Sequence, residues 1–216
     1  IDAHALNEKG VTRLCYCGSV LRAIAPSDDS SRSPVQLGAE LFGDSSIDAD
    51  IEVLQMAIDT VRLFTDEALL IDFGHAGVLK TALASQSEQF QDNALDALGR
   101  KDQDALAEFE KELPALSSIK KAYGDLDFVL SNHSPSFSFA QELKDIEAVR
   151  AAVNVDSASW YVDLGETHGF NYHTGIVFGI YAIERDQLLV RGGRYDYVGQ
   201  TFGRARAATG FSGDLK

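Results

Sequence analysis

Basic residues are scarce in this chain. Its 216 residues include 19 lysines and arginines against 33 aspartates and glutamates, so the formal net charge is −14. Binding to nucleic acid at physiological salt depends on lysine and arginine side chains that neutralise phosphates. The composition therefore argues against an extended RNA- or DNA-binding surface, and we expect no nucleic-acid partner.

Long apolar runs and targeting sequences are also absent. No run reaches the roughly 18 apolar residues of a transmembrane helix, so we expect no membrane partner. The opening residues, IDAHALNEKG, lack the basic and apolar regions of a secretory signal peptide, and the first residue is not methionine. We therefore expect a cytoplasmic protein, and we expect this sequence to be an interior piece of a longer chain.

Cysteine occurs only twice, at Cys15 and Cys17. One intervening residue places both side chains on the same face of a strand. This is not the C-x-x-C spacing of a redox or zinc site, and no second pair completes a metal cage. The spacing predicts two small buried thiols in a reducing compartment.

What the sequence does contain is an alternation of strand-like and helix-like stretches. RLCYCGSVL and VQLGAELFG are short and rich in strand-forming residues, and the polar loop between them predicts a β-hairpin. In the next stretch the apolar residues recur every three or four positions, which predicts a helix that Ser45 or Ser46 caps. This apolar stripe consists of Ile47, Ile51, Leu54, Ile58 and Val61.

The remaining stretches predict a single domain over residues 1–216 with an insertion. EALLIDFG predicts a strand and AGVLKTALA a helix, and residues from about 85 to 157 predict a mainly helical insertion. WYVDL, GIVFGIYAI and QLLV predict three more strands. Hairpin-like neighbours favour an α+β fold with an antiparallel sheet. The absence of G-x-G-x-x-G after a strand and of G-x-x-x-x-G-K-[ST] argues against dinucleotide-binding and P-loop folds.

Polar residues share one face of the second predicted strand. Gln36, Gly38 and Glu40 are spaced two apart and therefore point the same way. A glutamine and a carboxylate on either side of a glycine make a polar floor that could hold a cationic or amine-bearing ligand through charge-assisted hydrogen bonds. A polar strand face turned to solvent is the alternative, and the stretch alone leaves both open.

A second candidate segment, ETHGFNYHTGIVF, precedes a predicted strand. His168 and His173 are five positions apart outside any helix, which is not the i, i+4 spacing of a helical metal-binding pair, so we expect no metal there. The two histidines, Asn171 and Tyr172 either line a small-molecule pocket or are ordinary loop residues.

The third segment, RGGRYDYVGQTFGRARAATGF, gathers four arginines and five glycines into 21 positions of an acidic chain. It is either an anion-facing turn or a solvated basic loop. Gly192 and Gly193 would let a strand end turn sharply and aim Arg194 and Tyr195 across the sheet. Both side chains are therefore candidates for the lining of a pocket.

These three segments, in this order, resemble the catalytic domain of histidyl-tRNA synthetase, a class II aminoacyl-tRNA synthetase. RLCYCGSVLR…RSPVQLGAELFG resembles the motif 2 hairpin of that family, GFNYHTGIVF its histidine-binding segment, and RGGRYD…GF the approach to motif 3. The likeness runs from about residue 11 to the end and is weak through the insertion. The family's fold, an antiparallel sheet flanked by helices, agrees with the pattern described above.

The resemblance implies a histidine-binding site. Arg22 takes the place of the arginine that meets the histidine carboxylate and the α-phosphate, while Gln36 and Glu40 take the places that hold the amino group and the imidazole. Tyr172 and His173 replace a tyrosine pair beside the imidazole. Further candidates for the pocket lining are Arg32, His168, Asn171, Arg194 and Tyr195.

Departures from the synthetase pattern fall on the residues that handle ATP. His168 stands where the family has the arginine that stabilises charge during adenylate formation, and Ser30 replaces a loop arginine that meets the phosphates, although Arg32 remains. Asp214 replaces the glycine against which adenine packs. Two more departures are Asn171 for an aspartate and Lys216 for a glutamate. Because one fixed donor at such a transition state is worth about 3 kcal/mol, we expect adenylation to be lost, with no catalytic residue and no cofactor.

The same pattern resembles the family of regulatory subunits of the short-form ATP phosphoribosyltransferase, synthetase paralogues in histidine biosynthesis. FGRARAATGF matches that family with Ala207 in place of the usual proline, and RSPVQLGAELFG is also closer to it. The resemblance implies a non-catalytic subunit that binds L-histidine as an effector, activates the short-form catalytic subunit and conveys feedback inhibition, as a homodimer within a hetero-octamer. The alternatives are a fragment of an active histidyl-tRNA synthetase and a synthetase-like protein that modifies another target.

Overall fold

The computed structural model describes residues 10–23, 32–132, 139–167 and 169–215. Within these ranges, eight strands form one sheet. The strands are β1 (Thr12–Ser19), β2 (Val35–Phe42), β3 (Leu69–His75), β4 (Tyr123–Asp125), β5 (Ala158–Asp163), β6 (Ile176–Ala182), β7 (Gln187–Arg194) and β8 (Ala208–Leu215). The helices are α1 (Ile47–Arg62), α2 (Ala76–Leu83), α3 (Glu88–Gly99), α4 (Gln103–Glu112), α5 (Ala115–Ile119), α6 (Leu126–Asn132) and α7 (Ala140–Ala152), and a 3-10 turn covers Val198–Phe202.

Neighbouring strands follow the order β1-β2-β8-β7-β6-β3-β5-β4. Neighbouring pairs among these strands are antiparallel except for β3 and β5, which run parallel. A parallel pair needs a long crossover, and here the chain passes through α2 to α7 before it returns as β5. The predicted α+β fold is confirmed, with a mixed sheet in place of a wholly antiparallel one.

The predicted hairpin of β1 and β2 is present and forms one edge of the sheet. Cys15 and Cys17 in β1 share one side of the strand, but both are exposed. The prediction of buried thiols was wrong, because β1 is an edge strand and most of its residues are exposed on both of its sides.

The hydrophobic core lies between the sheet and the helices. The predicted apolar stripe of α1 faces this core: Leu54, Ile58 and Val61 are buried, and Ile47 and Ile51 are partly buried. Sheet residues in the same cluster include Leu41, Phe73, Phe178 and Phe211. The segment predicted as an insertion contains α3 to α7 and β4, and its buried leucines join the same cluster.

A buried ion pair joins β7 to the start of α1. Arg194 contacts the Asp50 carboxylate through Nε at 3.0 Å and Nη2 at 2.9 Å, and both side chains are 8% exposed. The same guanidinium donates to the carbonyl oxygens of Asp44 (3.1 Å) and Ser46 (2.8 Å) and to the Asp196 carboxylate (3.2 Å). Burial raises the pKa of Asp50, whereas the charge and the hydrogen bonds of Arg194 oppose that rise. This set of partners lets two charges remain inside the protein.

Arg194→Ala is expected to lower the free energy of unfolding by about 3–5 kcal/mol, because it leaves Asp50 buried without its cation. Arg13→Ala is the matched control, since Arg13 in β1 also pairs with α1, at Glu52 (2.8 Å), but there the side chains are 57% and 36% exposed. Exposed pairs contribute little, because water screens their charges, so Arg13→Ala should lower stability much less. Urea unfolding of the whole protein measures the free energy of unfolding of both variants. Equal losses of stability would contradict a larger contribution from the buried pair.

Candidate functional site

The sheet face that points away from α1, the open face, carries two rows of side chains. Directly paired residues of neighbouring strands point to the same side, so the register defines each row. One row runs Glu40, Gly210, Gly193, Val177, Gly74, and the other runs Tyr16, Gly38, Ser212, Arg191, Gly179, Asp72. Five of these eleven positions are glycines, so the open face forms a trough; Ser212 and Arg191 lie in its middle, and carboxylates lie towards both ends.

Glu40, Tyr195 and Tyr172 form a cluster at the β2 end of the trough. The Tyr195 hydroxyl donates to the Glu40 carboxylate, and the Tyr172 ring stacks on the Tyr195 ring with centroids 4.8 Å apart and planes at 23°. Glu40 lies directly over Gly210, where a Cβ would be 1.8 Å from Oε2, so glycine is needed to leave room for the carboxylate. One carboxylate beside two phenol rings suits a cationic or imidazole-like group.

Burial governs the titration of this cluster. It raises the pKa of Glu40, and the hydrogen bond from Tyr195 opposes that rise. The pKa of Tyr172 is raised to about 12, first by burial and then by the charge of Glu40. Burial also raises the pKa of Tyr195, as does its hydrogen bond to Glu40. Both phenols are therefore neutral at physiological pH, and Glu40 is the group of this cluster that can carry a charge there.

Arg22, Gln36 and Asp214 form a second cluster, further along β2 and β8. Nη2 of Arg22 lies 2.9 Å from Oδ1 and 2.7 Å from Oδ2 of Asp214. Gln36 Nε2 donates to the same Oδ1 at 3.3 Å, and Gln36 Oε1 accepts from the Tyr16 hydroxyl at 3.1 Å. The charge of Arg22 therefore faces a carboxylate of the protein itself.

Arg32 lies where the two strands of the hairpin meet its loop. Its Nε donates to the Arg22 carbonyl oxygen at 3.1 Å, and its own carbonyl oxygen accepts from the Arg22 N–H at 2.8 Å. These two hydrogen bonds hold the backbone of Arg22 in place, so Arg32 positions Arg22.

Some of the residues predicted from the sequence to line the binding site lie in the trough, and others lie elsewhere. Tyr172 and Tyr195 lie with the β2 residues on the open face, and the His173 ring packs edge-on against Tyr172 with centroids 5.1 Å apart. The prediction that Arg194 lines the pocket was wrong. Because side chains alternate along a strand, Arg194 points towards the helices when Tyr195 points into the trough.

One other candidate, Asn171, lies outside the trough, and three residues from the sequence analysis lie outside the described residues: the candidate His168 and the departures Ser30 and Lys216. Asn171 is exposed and lines a cleft between its own loop and α3, together with Asp92 and Leu95.

The β3 end of the trough holds an acidic residue that the sequence analysis did not single out. Asp72 borders a cavity of about 110 Å³ whose lining includes Glu166, His173, Tyr181 and Arg191. A feature of the sequence could have indicated it, since Asp72 interrupts the apolar run of LLIDFGH.

Burial and two neighbouring carboxylates raise the pKa of Asp72. Its pKa is raised to about 6, first by burial and then by the negative charges of Asp163 and Glu166, while Lys101 opposes the rise. Lys101 itself pairs with Asp163 at 3.3 Å. The trough thus has a carboxylate towards each end, Glu40 near β2 and Asp72 in β3, and both are partly removed from water.

Metal-binding clusters and membrane-spanning helices are both missing from the described part of the chain. No group of three His, Cys, Asp or Glu side chains there is placed to hold a metal ion. None of the helices described is long and apolar enough to cross a membrane.

Comparison with known proteins gives three findings. A family model described as histidyl-tRNA synthetase matches residues 1–216. An ATP phosphoribosyltransferase regulatory subunit from Pseudomonas fluorescens (strain Pf0-1) is 40% identical over 100% of this chain, which spans 58% of that relative's length. An ATP phosphoribosyltransferase regulatory subunit/histidyl-tRNA synthetase from Bacillus halodurans C superposes with a TM-score of 0.78 at 22% identity, over 99% of this chain and 59% of that one.

A second solved structure has a similar fold. The ATP phosphoribosyl transferase (HisG:HisZ) complex from Thermotoga maritima contains a chain that superposes with a TM-score of 0.74 at 19% identity. The superposition covers 97% of this chain and 75% of that one. At these identities the structural likeness concerns the fold alone.

Asp72→Asn is expected to stabilise the protein more as the pH rises from about 4 to about 6. The folded state, with its pKa about 6, holds the Asp72 proton more tightly than the unfolded chain, where an aspartate has a pKa of about 3.9. The wild type therefore loses stability over this window, and asparagine does not. The gain should reach about 2 kcal/mol above pH 7, measured by urea unfolding.

Asp186→Asn, in the exposed turn between β6 and β7, is the matched control and should leave the pH dependence unchanged. An Asp72→Asn variant whose stability follows that of the wild type at every pH would show that burial does not raise the pKa of Asp72.

Proposed function

The chain belongs to the histidyl-tRNA synthetase family, and from this premise we propose that it is the histidine-binding part of a regulatory subunit of ATP phosphoribosyltransferase. The observation that carries the proposal is the pairing of Arg22 with Asp214 beside the cluster of Glu40 and Tyr195. The groups suited to an imidazole are present, while the cation suited to a nucleotide phosphate already faces a carboxylate. A domain that binds histidine without activating it is a histidine sensor.

L-Histidine fits the β2 end of the trough by charge and by shape. Its imidazole N–H would donate to Glu40, a partly desolvated carboxylate for which a charge-assisted hydrogen bond is favourable. The flat ring would pack beside the Tyr172 and Tyr195 rings. Its carboxylate would meet Arg22, the one arginine in the cluster around Asp214 among the described residues.

Asp214 is the main argument against catalysis of adenylate formation. That reaction needs fixed cations around the α-phosphate, and each such donor is worth about 3 kcal/mol. Asp214 offsets the charge of Arg22 and adds a negative charge beside the path of the phosphates. We therefore propose a non-catalytic subunit with no cofactor of its own.

The proposed partner is the short-form catalytic subunit of ATP phosphoribosyltransferase. The names of the Pseudomonas fluorescens relative and of the Thermotoga maritima complex support this partner. We propose that the whole protein forms homodimers within a cytoplasmic hetero-octamer, activates the catalytic subunit and conveys feedback inhibition by histidine. Such coupling requires that histidine bind two states of the complex with different affinity.

A fragment of an active histidyl-tRNA synthetase is the second candidate. The matching family model is that of the synthetase, and the hairpin keeps Arg22, Gln36 and Glu40. Histidine-dependent exchange of pyrophosphate into ATP separates the two candidates, because only a synthetase forms the adenylate.

The whole protein is expected to accelerate phosphoribosyl-ATP formation by the short-form catalytic subunit from the same source, and L-histidine should reverse the acceleration. Spectrophotometric assays of the catalytic subunit alone, of the mixture and of the mixture with L-histidine measure both effects. The regulatory proposal would be contradicted if this protein neither accelerated the catalytic subunit nor eluted together with it in gel filtration. Histidine-dependent pyrophosphate exchange would then favour the synthetase.

Glu40→Gln is expected to weaken L-histidine binding at least about tenfold, since a hydrogen bond to a charged group contributes about 1.5–3 kcal/mol. Titration calorimetry on the whole protein measures the affinity. Glu108→Gln, an exposed glutamate of α4, is the matched control and should bind like the wild type. Unchanged affinity in Glu40→Gln would remove Glu40 from the site.

A further inference from the structure

We propose that Asp214 binds the α-ammonium group of the ligand, so that Arg22 and Asp214 together recognise the zwitterionic end of a free amino acid. This inference rests on the proposed histidine site and adds a residue to it. The resemblance to the synthetases assigns Asp214 no such role, because the enzymes have a glycine there.

Two donors hold the Asp214 carboxylate in place, and its two oxygens have acceptor sites for a third. Nη2 of Arg22 contacts both carboxylate oxygens, at 2.7 and 2.9 Å, and Gln36 donates to one of them at 3.3 Å. A single nitrogen meets both oxygens, so the pair does not use the side-by-side arrangement of two parallel hydrogen bonds. Since a guanidinium carries five N–H donors, Arg22 can keep its contact with Asp214 and donate from another nitrogen to the carboxylate of a ligand.

Gln36 is less suited than Asp214 to hold the ammonium group. Its amide oxygen already accepts from Tyr16, and its amide nitrogen donates to Asp214. A neutral amide also supplies no charge, whereas a charged group that leaves water is stable only beside an opposite charge. The Asp214 side chain is 16% exposed, so it offers a carboxylate in a largely desolvated place, and Gln36 orients it.

The spacing of the two carboxylates fits one histidine. Asp214 lies opposite Gln36, and Glu40 is four residues further along β2, which corresponds to about 13 Å between the two places at about 3.3 Å per residue. Two carboxylate side chains and one amino acid span such an interval, with the ammonium at Asp214, the imidazole at Glu40, and the Tyr16 side chain, which lies over Gly38 between them, beside the ligand. The phosphates of a nucleotide would meet negative charge at both ends.

The test compares L-histidine with imidazolepropionate, the same molecule without its ammonium group. In titration calorimetry the whole wild-type protein is expected to bind L-histidine at least about tenfold more tightly, the effect of one charge-assisted contact. Asp214→Asn should weaken L-histidine binding by a similar factor and leave imidazolepropionate unchanged or tighter. The preference for L-histidine is then lost in the variant.

Two variants act as controls. Glu40→Gln should weaken both compounds by the same factor and keep the preference, because both contain the imidazole. Asp186→Asn, in an exposed turn, should change neither affinity.

The outcomes separate this inference from the proposed function. A wild type that binds both compounds equally, or an Asp214→Asn variant that keeps the preference, would overturn the role of Asp214 alone. The first of these results needs no variant, so it holds even if Asp214→Asn does not fold. A wild type that binds neither compound would contradict the histidine site itself and this inference with it.

Discussion

The buried ion pair between Arg194 and Asp50 fixes more than the packing of β7 on α1. Side chains alternate along a strand, so anchoring Arg194 below the sheet turns the next residue, Tyr195, into the trough above it. Tyr195 then positions Glu40 through a hydrogen bond and Tyr172 through ring stacking. A residue of the buried ion pair, Arg194, is therefore followed directly by a residue of the candidate site, Tyr195. The position of the two tyrosine rings in the trough depends on the Arg194–Asp50 pair on the other side of the sheet.

The distribution of charge in the trough agrees with the charge of the whole chain. Arg22 is offset by Asp214, Glu40 and Asp72 add carboxylates near β2 and in β3, and Arg191 in β7 adds one cation, so carboxylates outnumber cations. On a chain with a formal net charge of −14, a concave acidic surface attracts cationic ligands and repels polyanions such as nucleotides. A zwitterionic amino acid with an imidazole meets both requirements, since each of its charges finds a partner of opposite sign.

The sequence determines those features that depend on local periodicity. The apolar stripe from Ile47 to Val61 predicted α1, and the spacing of Gln36 and Glu40 predicted that both share one face of β2. Features that depend on strand order were not predictable in this way. Cys15 and Cys17 are exposed because β1 lies at the edge of the sheet.

Further features in and near the glycine-rich segment were also not predictable from the sequence. Ala208–Leu215 forms β8, although its glycines are poor strand formers and the pattern did not predict a strand there. The side of the sheet that Arg194 faces depends on the register of β7, which the preceding glycines do not reveal. The partnership of Arg22 with Asp214, residues 192 positions apart, arises only once β2 lies beside β8.

That pairing also determines when the trough can form during synthesis. Gln36 and Asp214 are 178 positions apart in the chain, and closing so large a loop costs conformational entropy before any contact offsets it. The β1–β2 hairpin can therefore join the rest of the sheet only after β8, the last strand of this sequence, has been synthesised. Until then the β2 edge of the hairpin lacks its neighbour, and it is open to pairing with other strands or to capture by chaperones.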